Sequence, residues 1–209
     1  MKTKGNAWIA LGLQLLAAAL FLTVWNMNQA NEAGDQAEAI VQELSTQIVQ
    51  RREPEDIQPP TAETLDPNQP DYVRFPNMEM PTTRLNGYDY IGVLEIPMLQ
   101  LELPVMSTWD YTRLRIAPCR YQGSAYLNNM ILCAHNYTTH FGQIKNLSLG
   151  DSVYFTDADG NVFAYQVAAI ETLAPTAVEE MEAGEWDLTL FTCTIGGSTR
   201  VTVRCEAVE

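Results

Sequence analysis

No charged residue interrupts the chain between Lys4 and Glu32, and inside that interval "AWIALGLQLLAAALFLTVW" (residues 7–25) is almost wholly apolar. Nothing else in the sequence limits the fold as strongly. Nineteen residues in an α-helix cover about 28 Å, close to the thickness of a bilayer's hydrocarbon core. In water the same helix would expose apolar surface on every side. Trp8 and Trp25 bracket the run where interfacial aromatics sit, and Lys2 and Lys4 ahead of it favour a cytoplasmic N-terminus. A cleaved secretory signal is the rival reading, with small residues in "NQANEA" near a cut site. The apolar core of such a signal is normally about 7–15 residues, shorter than this one. The expectation is a single-pass transmembrane anchor within residues 1–30, located in the cell membrane, with the rest of the chain outside the cytoplasm.

Residues 31–85 read differently. "QAEAIVQELSTQIVQRR" (36–52) places Ile40, Val41, Leu44 and Ile48 at helical spacing, which predicts a short amphipathic helix at the base of a stalk, either packed or solvated. Residues 52–81 carry seven prolines with little periodicity and read as an extended linker. From residue 86 to 209 short alternating runs recur between turn residues: "YIGVLEI", "LELPVM", "SAYLNNMILCAH", "DSVYFTD", "VFAYQVAAIETL", "DLTLFTCT" and "TRVTVRCEAV". Seven or eight strands with few helices imply a barrel or sandwich. Asp159-Gly160-Asn161 supplies the turn of one hairpin. Asp157 and Asp159 invite a calcium loop, but the D-x-D-x-D-G order and terminal glutamate of an EF-hand are missing, so a plain turn is expected. The formal charge of −14 repels phosphate backbones and argues against nucleic acid as a partner.

Chemistry is confined to a few residues. The four cysteines (119, 133, 193 and 205) lack the close pairing of a zinc site. Cys119, Cys133 and Cys205 leave a disulfide open without specifying its pairing. Cys193 ends the run "TLFTC", and six residues, "TIGGST", separate it from Arg200. If those two strands meet in symmetric register, Cys193 faces Arg200 and Thr189 faces Arg204, with opposed Cβ atoms about 5 Å apart. A guanidinium beside a thiol favours the thiolate and can donate to an oxyanion. The pair alone does not distinguish this from a packed cysteine with an arginine reaching past it. Of the two histidines, His135 ends the run "MILCAH" and His140 follows in "NYTTHFG", where a solvated loop residue is expected. Cysteine, histidine and arginine, each at a strand end, are what thiol acyl transfer requires.

These residues carry a resemblance. "TLFTC" (189–193) is similar to the T-L-x-T-C signature of sortases, the membrane-anchored cysteine transpeptidases of mainly Gram-positive bacteria. "CAHN" (133–136) resembles the family's histidine segment, Arg200 matches its arginine on the next strand, and "HNYTTHFGQIKNLSLGDSVYFTD" resembles its H-N…F-G-x-L…L-x-x-G-D-x-V-x-F-x-D run, with Ile144 where leucine is common. The resemblance spans about residues 86–209. It implies a mainly β fold, a closed seven- to eight-stranded sortase-type β-barrel with short helices, preceded by the transmembrane helix. It also implies that Cys193 is the nucleophile, His135 the general acid/base and Arg200 the oxyanion and substrate donor. The implied substrate is a surface protein with a C-terminal LPxTG-like sorting signal, joined through a thioacyl intermediate to an amine of a peptidoglycan cross-bridge or a pilin lysine. No cofactor is expected, and calcium dependence is not assigned. "LDPNQ" (65–69) has Asn68 where pilin-assembling relatives carry a lid aromatic, and reads as linker. A papain-like protease fails on residue order, since its histidine follows its cysteine. The other class of reading is a tethered β-barrel that binds without catalysis, with Cys193 inert.

Overall fold

The computed structural model describes residues 2–52, 69–184 and 186–208. In chain order these form α1 (Lys2–Arg52), α2 (Asp71–Arg74), β1 (Thr83–Leu85), β2 (Tyr88–Ile96), β3 (Leu101–Met106), β4 (Cys119–Gln122), β5 (Met130–Ala134), β6 (Ser152–Asp157), β7 (Val162–Leu173), α3 (Val178–Glu182), β8 (Leu188–Cys193) and β9 (Arg200–Ala207), with short 3₁₀ turns between strands.

The strands lie in the order β1-β2-β3-β4-β5-β8-β9-β7-β6, and β6 pairs back onto β2. Eight strands therefore close into a barrel, with β1 added as a hairpin outside the circuit. The β3–β4 and β5–β8 pairs are parallel and the others antiparallel. Closure occurs where Gly92 faces Asp157. A Cβ on Gly92, at φ +153°, would stand 2.0 Å from the Thr156 carbonyl oxygen, so only glycine lets the two strands approach there. The seam is also held by Asp157, whose buried carboxylate accepts from the backbone N–H of Asp159 (2.9 Å) and Asn161 (2.8 Å), from Asn161 Nδ2 (2.8 Å) and from the Tyr126 hydroxyl (2.6 Å). The aspartate expected in a plain turn is thus fully committed to shaping it.

Alternation sorts the side chains into two apolar layers. Leu94, Ile96, Leu103, Leu132, Phe155, Leu190 and Val203 fill the barrel interior. Tyr90, Val93, Met106, Cys119 and Cys133 face outward and are covered by Ile40, Val41, Leu44 and Ile48 of α1. The helical spacing read from residues 40–48 is therefore a packed face. Each fully buried Leu or Ile there contributes about 1.5–3 kcal/mol relative to exposure. Arg51 fastens the end of the helix to the closure seam, donating to the Ala158 carbonyl (3.1 Å) and to Asp159 Oδ1 (2.9 Å).

Two local expectations change. The apolar run and the amphipathic segment are one continuous helix, because nothing between them stops it: Gly34 is the only glycine from Trp25 to Gln36 and the first proline is Pro54. All residues from Trp8 to Gln29 are exposed, and packing against the barrel begins at Ala30. The second change concerns the proline-rich stretch. Residues 53–68, including most of "LDPNQ", lie outside the described residues, but from Asp71 on the chain is docked. Tyr72 stacks on Tyr126 (4.8 Å between centroids, 14° between planes) and Met80 is buried in the interior cluster. These anchors are single residues without periodicity, so only long-range contacts reveal them.

Replacing the Asp157 carboxylate strands several donors in a dry seam. Asp157→Ala is expected to lower stability by about 3 kcal/mol, seen as a fall in the thermal and urea midpoints, with a smaller loss for Asp157→Asn.

Candidate active site

Strand β8 determines where the reactive residues meet. It pairs in parallel with β5, and the last matched rung is Ala134 with Thr192. The Thr192 hydroxyl ties that rung by donating to the Ala134 carbonyl at 2.9 Å. The next residues along the chain from that rung are His135 and Cys193, which therefore leave the same end of two neighbouring strands, spaced about 4.8 Å apart. On its other side β8 pairs with β9, and Cys193 faces Arg200 as Thr189 faces Arg204. This is the register expected from the symmetric hairpin. Because Leu190 and Leu132 point into the barrel, Cys193, Phe191, Cys133 and His135 occupy the outer face of the wall.

The hairpin loop holds that geometry tightly. Thr194 N–H donates to the Thr199 carbonyl (3.0 Å) and Gly197 N–H to the Thr194 carbonyl (2.8 Å), with Gly196 and Gly197 at φ +82° and +72° making the turn. Arg200 Nη1 donates to the carbonyls of Gly197 (3.1 Å) and Thr199 (3.2 Å). The guanidinium is thereby folded along the loop.

The four cysteines are all free thiols, and Cys193 is the only exposed one. Cys119 faces Cys133 across antiparallel strands, but the two are unbonded. Burial pushes the Cys119 and Cys205 thiols up to about 12, and raises Cys133 as well, which keeps these three protonated.

His135 is half-buried, and its Nδ1 lies 3.0 Å from Asn136 Oδ1. With the amide oxygen facing the ring, Nδ1–H donates and Nε2 is free to exchange a proton. Burial lowers its pKa below 6.5; the Asn136 bond opposes this and the positive charge of Arg115 adds to it. His140, expected as a solvated loop residue, is instead completely buried between its own loop and α1. Neither of its ring nitrogens has a partner at bonding distance. Burial brings its pKa down to about 4, with the neighbouring His135 adding to that and the backbone near Ala33 and Ile116 partly offsetting it.

Beside Cys193 and Arg200 runs a groove of about 230 Å³, its walls lined by Trp109, Tyr111 and Leu114, by Ala174, Pro175, Ala177, Val178 and Met181, and by Tyr121, Cys133 and Phe191. Sequence reasoning did not reach these walls. The available signal was two aromatics, Trp109 and Tyr111, in the polar loop "STWDY", where no strand or helix would bury them. Arg204 supports the wall at Met181. It donates to Glu171 Oε1 (2.8 Å), to the carbonyls of Met181 (2.8 Å) and Glu180 (2.6 Å), and to the Thr189 hydroxyl (3.0 Å). Of the two arginines on β9, one thus opposes the exposed thiol and the other is structural.

An exposed thiol, an imidazole at the end of the neighbouring strand and an apolar groove all lie on the outer wall of a closed mixed barrel. The Sortase domain model matches residues 94–208, and the chain belongs to the sortase family. It is similar to Sortase A of Bacillus anthracis, 28% identical over 121 residues, which is 55% of this chain and 57% of that relative. The match thus spans little more than half of that curated relative's length. Among solved structures, sortase C1 of Streptococcus suis is 26% identical with a TM-score of 0.52, covering 66% of this chain and 79% of that one. The Sortase D5 transpeptidase of Clostridium perfringens shares the fold with a TM-score of 0.58 over 84% of this chain and 99% of that one, at 15% identity.

Both imidazoles ionise below their ordinary 6.5, so their neutral forms stabilise the folded state. That contribution is complete above about 6.5 and is lost as pH falls, through about 4 for His140. Thermal melts should therefore show a falling midpoint between pH 6.5 and 4 that is shallower in His140→Leu. An equally steep fall in the variant assigns the acid limb to other groups.

Proposed function

We propose that this protein is a membrane-anchored transpeptidase that cleaves an LPxTG-like sorting signal and joins the released carboxyl group to an amine. The observation that supports this reading is that Cys193, His135 and Arg200 come at the ends of neighbouring strands, with Cys193 and Arg200 lining one apolar groove. The sorting peptide lies in the groove with its apolar side chains against Trp109, Tyr121 and Phe191. Its Thr–Gly carbonyl carbon comes to the Cys193 sulfur. The thiolate adds to that carbon, and the developing oxyanion takes hydrogen bonds from the guanidinium N–H groups of Arg200. His135, which has taken the Cys193 thiol proton at Nε2, gives that proton to the leaving glycine nitrogen, the C–N bond breaks, and a thioester remains on Cys193. An incoming amine then attacks the thioester, His135 takes its proton, and the sulfur leaves as thiolate. A peptidoglycan cross-bridge amine or a pilin lysine supplies this acceptor, and water in its place makes the same site a peptidase.

α1 supports an extracellular placement of the barrel. Its exposed apolar stretch is the one described helix long and apolar enough to cross a membrane. With Lys2 and Lys4 on the cytoplasmic side, the barrel stands on the outer surface, where sorting signals and wall precursors are presented.

The tests are direct. Iodoacetamide should modify Cys193 well ahead of the three buried thiols and abolish cleavage of an LPxTG-type peptide, as should Cys193→Ala. Even labelling of all four cysteines, with no cleavage, would instead indicate a binding module. Arg200→Ala is expected to lower kcat/KM roughly tenfold or more, the scale of a lost oxyanion donor, without changing the thermal midpoint. Wild-type turnover in that variant removes Arg200 from the chemistry.

A further inference from the structure

Two residues past His135 the chain doubles back beneath its own imidazole. The Tyr137 ring lies parallel to that of His135, with centroids 4.1 Å and planes 7° apart. Tyr137 is itself buried, and packs with Ala30 and Ala33 of α1 into a small cluster separate from the main layers. Its loop is rigid: the Tyr137 carbonyl accepts from the N–H groups of His140 (3.0 Å) and Gly142 (2.8 Å). That loop is also bonded to the helix, since the Thr139 hydroxyl donates to the Ala30 carbonyl at 2.7 Å. The approach is so close that a Cβ on Gly34 would stand 2.8 Å from Thr139 Cγ2. His140 covers another side of the tyrosine, with ring centroids 5.5 Å apart.

Among the described residues the His135 imidazole has a single hydrogen bond, to the adjacent Asn136. One bond to a neighbouring residue fixes a ring nitrogen but leaves the ring free to swing about it. A parallel aromatic face removes that freedom, because any tilt of the imidazole drives its edge into the tyrosine. The tyrosine cannot yield, because α1 stands behind it. We propose that Tyr137, backed by the Ala30–Gly34 segment of α1, is the positioning residue that sets the plane of the His135 imidazole. The helix that carries the apolar run then also sets the proton-transfer geometry at the groove. Small residues at 30, 33 and 34 have a functional reason to be small: they bring the helix backbone close enough to support the ring. This inference rests on His135 acting as the acid/base of the proposed reaction.

The ring face does the positioning, so a planar apolar ring should suffice and an apolar side chain of similar bulk should not. The full-length chain in detergent is assayed on an LPxTG-type fluorogenic peptide as wild type, Tyr137→Leu, Tyr137→Phe and Ala33→Leu. In parallel, imidazole ¹⁵N spectra are recorded; with only two histidines, each ring is resolved. Tyr137→Leu should lower kcat roughly tenfold with KM within about twofold, the scale expected when a reacting group is misplaced. Tyr137→Phe should restore turnover to within about threefold. Ala33→Leu, which pushes on the tyrosine from behind, should share the kcat defect. In the spectra, the fixed Nδ1–H tautomer of His135 should give way to averaged nitrogens in Tyr137→Leu and Ala33→Leu and persist in Tyr137→Phe. Wild-type kcat and an unchanged His135 spectrum in Tyr137→Leu would overturn the inference. A wild-type protein that folds but does not cleave overturns the transpeptidase reading instead, and the spectra then decide the role of Tyr137 independently.

Discussion

The parallel alignment of β5 with β8 is the constraint on which the rest depends. Parallel neighbours finish at the same end of the barrel, so a histidine that ends one strand and a cysteine that ends the other become adjacent although they are distant in the chain. The antiparallel return through β9 then adds an arginine to the same edge. The core enforces this alignment. Leu132, Leu190 and Val203 fill the interior, and a slip of one residue would turn them outward and Cys193 inward. The hydrogen bond from Thr192 to Ala134 fastens the rung immediately before the reactive pair. Core packing and site geometry are therefore one constraint seen from opposite faces of a single sheet.

The outer wall of the barrel is divided between two tasks. α1 packs on β2 and β3, and burial in the apolar layer that continues across β4 and β5 keeps Cys119 and Cys133 protonated. The part beside β8 and β9 is left open as a groove, where Cys193 is exposed. The same element thus occurs in two environments a few ångströms apart, and burial decides which thiol can react. Arg200 and Arg204 divide in a similar way. Both lie on β9, but one borders the groove while the other is buried among carbonyls that hold its wall. The residues that line the groove are consequently drawn from segments remote from one another in the sequence.

Much of this was legible before any coordinates, because it rests on local periodicity. Alternation marked the strands, the six-residue loop implied the Cys193–Arg200 register, and the uncharged stretch announced a helix able to span a bilayer. Other features were not legible. His140 looks like a polar loop residue, yet it is buried, because the helix it lies against comes from a hundred residues earlier in the chain. Tyr72 and Met80 look like parts of a tether, yet they pack against the barrel through isolated contacts that no pattern announces.

By itself, the amino-acid sequence determined where seven of the nine strands lie and which of their residues share a face, but not the short strands β1 and β4, and it picked out the side chains with nucleophilic or acid–base chemistry. Each of these follows from neighbours within a few positions, where side-chain period and turn residues act. Only the tertiary structure decided that β5 and β8 lie side by side, that the groove has aromatic walls, and that the helix bearing the apolar run backs the tyrosine stacked on His135. Those depend on barrel closure and on packing between segments far apart in the chain, and no local rule of spacing carries that information.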